Sequence, residues 1–263
     1  MNLPGTTTLL TGATGGIGHA IARTLHRGGT RLVLTGRRLE VLQPLADELG
    51  AQAIAVDLSD RADLHRLIAA CTDVDVVVAN AALPASGPLT SFSEEEIDRA
   101  MEVNLQAPMI LARRLVPGML ERGRGHFVFV SSMAGKSGTP GSSVYSASKF
   151  GLRGFSQGLR GDLHDTGVSA SVVFPGFVRD AGMFADTNIE LPSYVGTSTP
   201  EQVADGVVKA ITADRAEVDV APLGIRAGAI FSGVAPQTAA TVARRMGSDR
   251  ISGQLGDRQS SKR

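Results

Sequence analysis

Seven short apolar runs, separated by segments of helix length, constrain this chain more than any other feature of its sequence. They fall at Thr7–Leu10, Arg31–Thr35, Ala53–Val56, Val74–Ala79, Phe127–Val130, Ser169–Phe174 and Val218–Val220. Each reads as a strand, and the strand–helix alternation predicts an α/β fold with a doubly wound parallel sheet. At 263 residues the chain suffices for one domain with a substantial core. Residues 1–247 are expected to form it, with 222–247 as an apolar helical extension stopping at Gly247. The polar, net basic stretch 248–263 reads as a flexible tail.

Composition removes several classes of function. Net charge is zero and the pI is near 7.0, so nothing points to a polyanionic partner. With no tryptophan and 4% aromatic residues, there are few stacking platforms for nucleic acid bases. The single cysteine, Cys71, cannot form an internal disulfide, and a reduced cytoplasm is the expected setting. His19, His26, His65, His126 and His164 show no metal-ligand spacing, so no metal is expected. The chain does not open like a secretory signal. Its longest late uncharged stretch, Ala227 to Ala243, is interrupted by Pro236 and Gln237, and no membrane span is expected.

The strand ends carry the chemistry. Thr-Gly-Ala-Thr-Gly-Gly-Ile-Gly (11–18) follows the first strand and opens a helix. A glycine turn there lets backbone N–H groups approach a pyrophosphate at the helix N-terminus. A tight turn alone would explain the glycines, but their place after the first strand favours phosphate binding. The second strand is followed by Gly36-Arg37-Arg38, where an acidic residue would select a ribose 2′-hydroxyl and an arginine a 2′-phosphate. Two cations at a helix N-terminus oppose its dipole, which a bound phosphate would offset. Asp57-Leu58 and Asn80-Ala81-Ala82 close the third and fourth strands; Asn80 is either a cofactor contact or a turn residue.

Ser93 and Glu96 form a capping-box pattern opening a helix that is expected to run to Asn104, with a kink at Pro108. Ser132 lies at the carboxyl end of the fifth strand, where open sheets of this kind place ligands. Tyr145 and Lys149, four apart, share one face of the next helix. The chain has only two tyrosines and four lysines, so this pairing is not readily an accident of composition. Moving a tyrosine from about 10 to about 7 takes roughly 4 kcal/mol. One cation at ~4 Å supplies that order of energy at an effective dielectric of ~20. Lys149 is thus expected to make Tyr145 a working acid/base. Gly151, Gly154 and Gly158 predict a close backbone approach to the sheet or to a second subunit. The irregular stretch from Phe177 to Thr199, with Met183, Phe184, Ile189, Leu191 and Tyr194, reads as a lid. Pro200 after Thr199 reads as a helix start.

Together these motifs resemble the short-chain dehydrogenase/reductase family in its compact single-domain branch. The resemblance runs over about residues 5 to 220 and includes Pro175-Gly176. It implies a Rossmann fold and hydride exchange between a nicotinamide and a carbonyl or alcohol. Tyr145 would be the general acid/base, Ser132 the hydrogen-bond partner of the substrate oxygen, and Lys149 the cation that also holds the nicotinamide ribose. Asn104 would hold a water linking Lys149 to solvent. Cofactor contacts are implied at Gly12, Thr14, Gly15, Gly16, Ile17, Gly18, Arg37, Asp57, Leu58, Asn80, Ala81, Tyr145, Lys149, Pro175, Gly176 and Val178. Gly36-Arg37 matches the pattern for NADP(H), with NAD(H) as the alternative. Gly15 stands where many NADP-using relatives carry a basic residue, and Asp180 where relatives often carry threonine. The expected substrate is a small carbonyl or alcohol with an apolar part, and the expected assembly a homodimer or homotetramer. Two other readings are a 3-oxoacyl thioester reductase, needing Arg122 or Arg153 for an acyl carrier, and a cofactor-sensing protein without chemistry.

Overall fold

The computed structural model describes residues 1–187, 189, 191, 195–245 and 248–259. The strands are β1 (Thr7–Leu10), β2 (Arg31–Gly36), β3 (Gln52–Ala55), β4 (Val76–Ala79), β5 (Gly125–Val130), β6 (Val168–Pro175) and β7 (Glu217–Val220). They form one parallel sheet in the order β3-β2-β1-β4-β5-β6-β7. Chain direction across the sheet reverses between β1 and β4, which opens a crevice at their carboxyl ends.

Helices cover both faces. On one side lie α1 (Gly16–Arg27), α2 (Leu39–Leu49) and α8 (Pro200–Thr212), with Ile21, Leu42 and Val207 packed on Leu10, Val76 and Val128. Opposite are α3 (Arg61–Ala70), α5 (Ala107–Glu121) and α6 (Ser143–Asp162), with Leu67, Leu111 and Leu152 on Phe127 and Phe129. Strand β5 alternates between these layers residue by residue and is buried throughout, as a central parallel strand must be. Strand β4 begins two residues later than its apolar run suggests. The Asp75 carboxylate accepts a hydrogen bond from the Thr7 N–H at 3.0 Å and pairs with Arg124 at 2.9 Å.

Capping is legible in the sequence where it is local. Helix α4 (Glu94–Met101) starts with the Ser93–Glu96 capping box, and α8 with a Thr199–Gln202 box ahead of Pro200. The expected helix to Asn104 is present, with a change of winding before that residue. After α4 the chain makes one π-helical turn, Glu102–Gln106, before α5. Pro108 falls in the first turn of α5, where its missing N–H is tolerated.

Of the two expected uses of the glycine face of α6, approach to the sheet is not found. A Cβ on Gly151 would stand 2.8 Å from the Leu105 side chain, but Gly154 and Gly158 face open space. None of the three lies against the sheet.

The largest correction concerns the end of the chain. Beyond β7 come α9 (Leu223–Val234) and α10 (Pro236–Arg245); the expected stop at Gly247 and lid residue Tyr194 lie outside the described residues. Instead of a flexible tail, residues Ser248–Gln259 form a helix, α11. It returns to the lid: Gln259 Nε2 donates to the Met183 carbonyl at 3.1 Å, and Arg258 Nη1 to that of Thr187 at 3.4 Å. Among the described residues no helix is long and apolar enough to cross a membrane.

Candidate active site

Two adjoining cavities open at the carboxyl ends of the strands. The larger, about 570 Å³, runs along the β1–α1 turn and the ends of β2 and β3. Its floor depends on glycine. Gly12 has a φ of 68°, and a Cβ there would lie 2.7 Å from the Ala81 Cα. Gly16 would collide with the side chain of Ala181, bringing the lid against the N-terminus of α1. Asn80 fastens the floor from the neighbouring strand. Its Nδ2 donates to the carbonyls of Thr11 and Gly12, both at 3.1 Å, while its own N–H donates to Thr11 Oγ1.

The far end of this cleft carries charge. Arg37 and Arg38 follow β2, and a Cβ on Gly36 would lie 2.5 Å from Thr14 Cγ2, leaving little room for an acidic side chain at that position. Asp57 lines the same end. Burial works to raise its pKa, but hydrogen bonds from the hydroxyl and backbone of Ser59 outweigh it and, with Arg99 and Arg37 nearby, hold the carboxyl below its ordinary value. Arg99, from α4, reaches Asp57 at 3.5 Å and is a cleft residue that sequence reasoning misses. The contact joins positions 42 apart in sequence, with no local signal to announce it.

The smaller cavity, about 170 Å³, has Ser132, Tyr145 and Lys149 in its wall, with Pro175, Gly176, Phe177, Val178, Met183 and Phe184. Phe177 and Phe184, the latter on the short α7 (Gly182–Ala185), pack with ring centres 5.0 Å apart. Ile17 and Asn80 line both cavities. Lys149 is 1% exposed and donates from Nζ to the Val130 carbonyl at 3.0 Å, at the end of β5. Its Nζ stands 5.6 Å from the centre of the Tyr145 ring. Burial lowers the Lys149 pKa to about 8.

Burial also pushes Tyr145 up to about 12, against the opposing pull of a hydrogen bond with Ser132. The expectation that Lys149 draws Tyr145 to about 7 is therefore corrected for this form of the protein. The estimate at an effective dielectric of ~20 omitted the cost of taking both groups out of water.

Every expected site residue lines one of the two cavities except Asn104. That side chain is fully buried in the π-helical turn. Its Oδ1 accepts from the Leu83 N–H at 2.6 Å, and its Nδ2 donates to the Leu83 carbonyl at 2.9 Å. Both ends of the amide thus hold the segment that follows Asn80. Asn104→Ala should destabilise the fold by about 2–4 kcal/mol, since two buried backbone groups lose their partner. A urea midpoint equal to that of the parent protein would refute this account. The two arginines suggested for an acyl carrier are also engaged elsewhere. Arg122 donates to the carbonyls of Thr72 and Val74, ahead of β4, and Arg153 pairs with Glu217 at 2.7 Å.

A doubly wound sheet with a glycine-floored cleft at its switch point, beside a pocket walled by Ser, Tyr and Lys, defines a class: oxidoreductases built around a dinucleotide. Comparison with known proteins sharpens this. Residues 6–191 match the short chain dehydrogenase family, and the chain belongs to that family of NAD(P)-dependent oxidoreductases. It is 40% identical over 227 residues to the ketoacyl reductase HetN of a Nostoc species, covering 83% of this chain and 79% of the relative. It is 35% identical over 181 residues to the 3-oxoacyl-[acyl-carrier-protein] reductase FabG of Rickettsia conorii, covering 68% and 75%. A metagenomic short-chain oxidoreductase solved in complex with NADP superposes with a TM-score of 0.72 at 34% identity, covering 84% of this chain and 99% of the other.

Proposed function

We propose that this protein is an NADP(H)-dependent reductase or dehydrogenase acting on a carbonyl/alcohol pair with an apolar part. The observation that carries the reading is the meeting of Ser132, Tyr145 and Lys149 in the wall of an apolar pocket that adjoins a glycine-floored cleft. Bound in that cleft, NADP(H) supplies the hydride exchanged at the carbonyl carbon. Ser132 donates a hydrogen bond to the substrate oxygen and stabilises its developing charge. Tyr145, protonated across the neutral range, delivers the proton to that oxygen and accepts it back in the reverse direction. Lys149 places a positive charge behind the ring and stabilises the phenolate as it forms. Met183, Phe177 and Phe184 exclude water from the pocket. The test is NADPH and NADH consumption over a broad carbonyl panel, with Tyr145→Phe protein alongside; turnover that survives the substitution would sink this reading.

Arg37 supports the 2′-phosphate, and the solved NADP complex of a relative agrees in kind. Arg37→Asp is expected to weaken NADPH binding at least about tenfold while sparing NADH. Equal losses for the two cofactors would mean that the phosphate sits elsewhere. A narrower reading, reduction of a 3-oxoacyl thioester, is favoured by the names of the relatives HetN and FabG. We read the exposed Met109 and Leu120 on α5, and Phe150 with the open Gly154 and Gly158 on α6, as the contact of a homo-oligomer.

A further inference from the structure

The helix that closes the chain also closes the pocket, and it brings one group with no employment in the fold. Leu255 and Gln259, one turn apart on α11, line the same cavity as Ser132 and Tyr145. Gln259 is 5% exposed. Because Nε2 donates to the Met183 carbonyl, the other end of the amide is the oxygen, and that buried Oε1 has no hydrogen-bond partner. A buried acceptor left unpaired carries a desolvation cost that a ligand donating to it would recover. The helix that carries Gln259 is closely seated. A Cβ on Gly256 would lie 2.7 Å from the Gly87 Cα, and Gly87 is itself tied to Gly141 by a 2.7 Å hydrogen bond.

We propose that Gln259 is a specificity-determining residue whose Oε1 accepts a hydrogen bond from an N–H or O–H group on the substrate, away from the reacting carbonyl. The proposal rests on the reading of this pocket as a carbonyl site. Leu255, Met183, Phe177 and Phe184 make its surroundings apolar, so an analogue lacking the donor would leave the acceptor buried and unpaired.

The experiment compares three 3-oxohexanoyl thioesters whose thiol part ends in an acetamido group, a hydroxyl or a methyl. The parent protein should favour one of the two donor-bearing compounds over the methyl compound by at least about tenfold in kcat/KM, and the better of them identifies the donor. Gln259→Leu should bring the three within about twofold of one another with NADPH affinity unchanged. Gly256→Ala, which displaces α11 and leaves the Gln259 amide intact, should erode the same preference. No preference in the parent protein, or a preference kept in Gln259→Leu, would overturn the proposal. Should none of the three be reduced, the Tyr145→Phe comparison on the carbonyl panel judges the catalytic reading separately. Calorimetric titration of the NADP⁺-loaded protein with the same thioesters then decides the Gln259 contact, and equal binding of all three, or none, counts against it.

Discussion

Tyr145→Phe is expected to lower kcat for NADPH-dependent carbonyl reduction by about 10³-fold while leaving NADPH affinity within about twofold. The substitution deletes one oxygen from a partly buried ring whose neighbours include Ala85, Ala100 and Val144. Packing is kept, so the fold and the cleft should survive. What is lost is the only phenol among the described residues of the pocket lining, and the hydrogen bond it shares with Ser132. Because burial holds the phenol up to about 12, it remains a proton donor at every pH a reductase would ordinarily meet. Stopped-flow measurement of the hydride step, with fluorescence titration of NADPH, separates the two effects. Parallel losses in affinity and turnover would point to a structural role for the tyrosine instead.

Lys149 should set the upper pH limit of that reduction. Burial depresses its pKa from 10.5 to about 8, so the ammonium is intact below that pH and neutral above it. Reduction is expected to be flat below about pH 8 and to fall as the pH rises through it, because the charge that stabilises the nascent phenolate is withdrawn. Lys149→Met should cost about a hundredfold in kcat and abolish this descending limb. The sign for stability is opposite. A lysine whose folded-state pKa is depressed penalises the fold when both states are protonated, below pH 8. That penalty is relieved between pH 8 and 10.5. It is on the order of a few kcal/mol at neutral pH, partly offset by the bond to the Val130 carbonyl. Urea midpoints of the parent protein should therefore rise from pH 7 to 9.5 relative to those of Lys149→Met. A constant difference between the two would mean that Lys149 does not titrate in this range.

What was legible in the sequence was whatever depends on near neighbours along the chain. The glycines at 12, 16 and 18 sit in one turn, Tyr145 and Lys149 in one helical turn, and Ser93 and Glu96 in one cap. The parallel order followed from alternation alone. Burial was harder to read. Four-residue spacing says that Tyr145 and Lys149 are close, yet only the packing of β5 and the lid around them shows that desolvation outweighs attraction. Asn104 is held by Leu83, 21 positions away, and nothing local announces that partner. Residues 248–259 mislead for a related reason. Their local composition is polar and glycine-bearing, whereas the order of α11 comes from contacts with Gly87, Met183 and Thr187.

That returning helix divides the labour of the pocket along the chain. The groups proposed to hold the cofactor and move the proton are drawn from residues 12 to 178, while one wall of the smaller cavity is drawn from Leu255 and Gln259. On the proposed reading, drift in this helix changes which carbonyl compound is admitted without touching a single acid, base or cofactor contact. A chain so arranged can acquire new substrates by exchanging its end, as a socket wrench takes a new head on an unchanged handle.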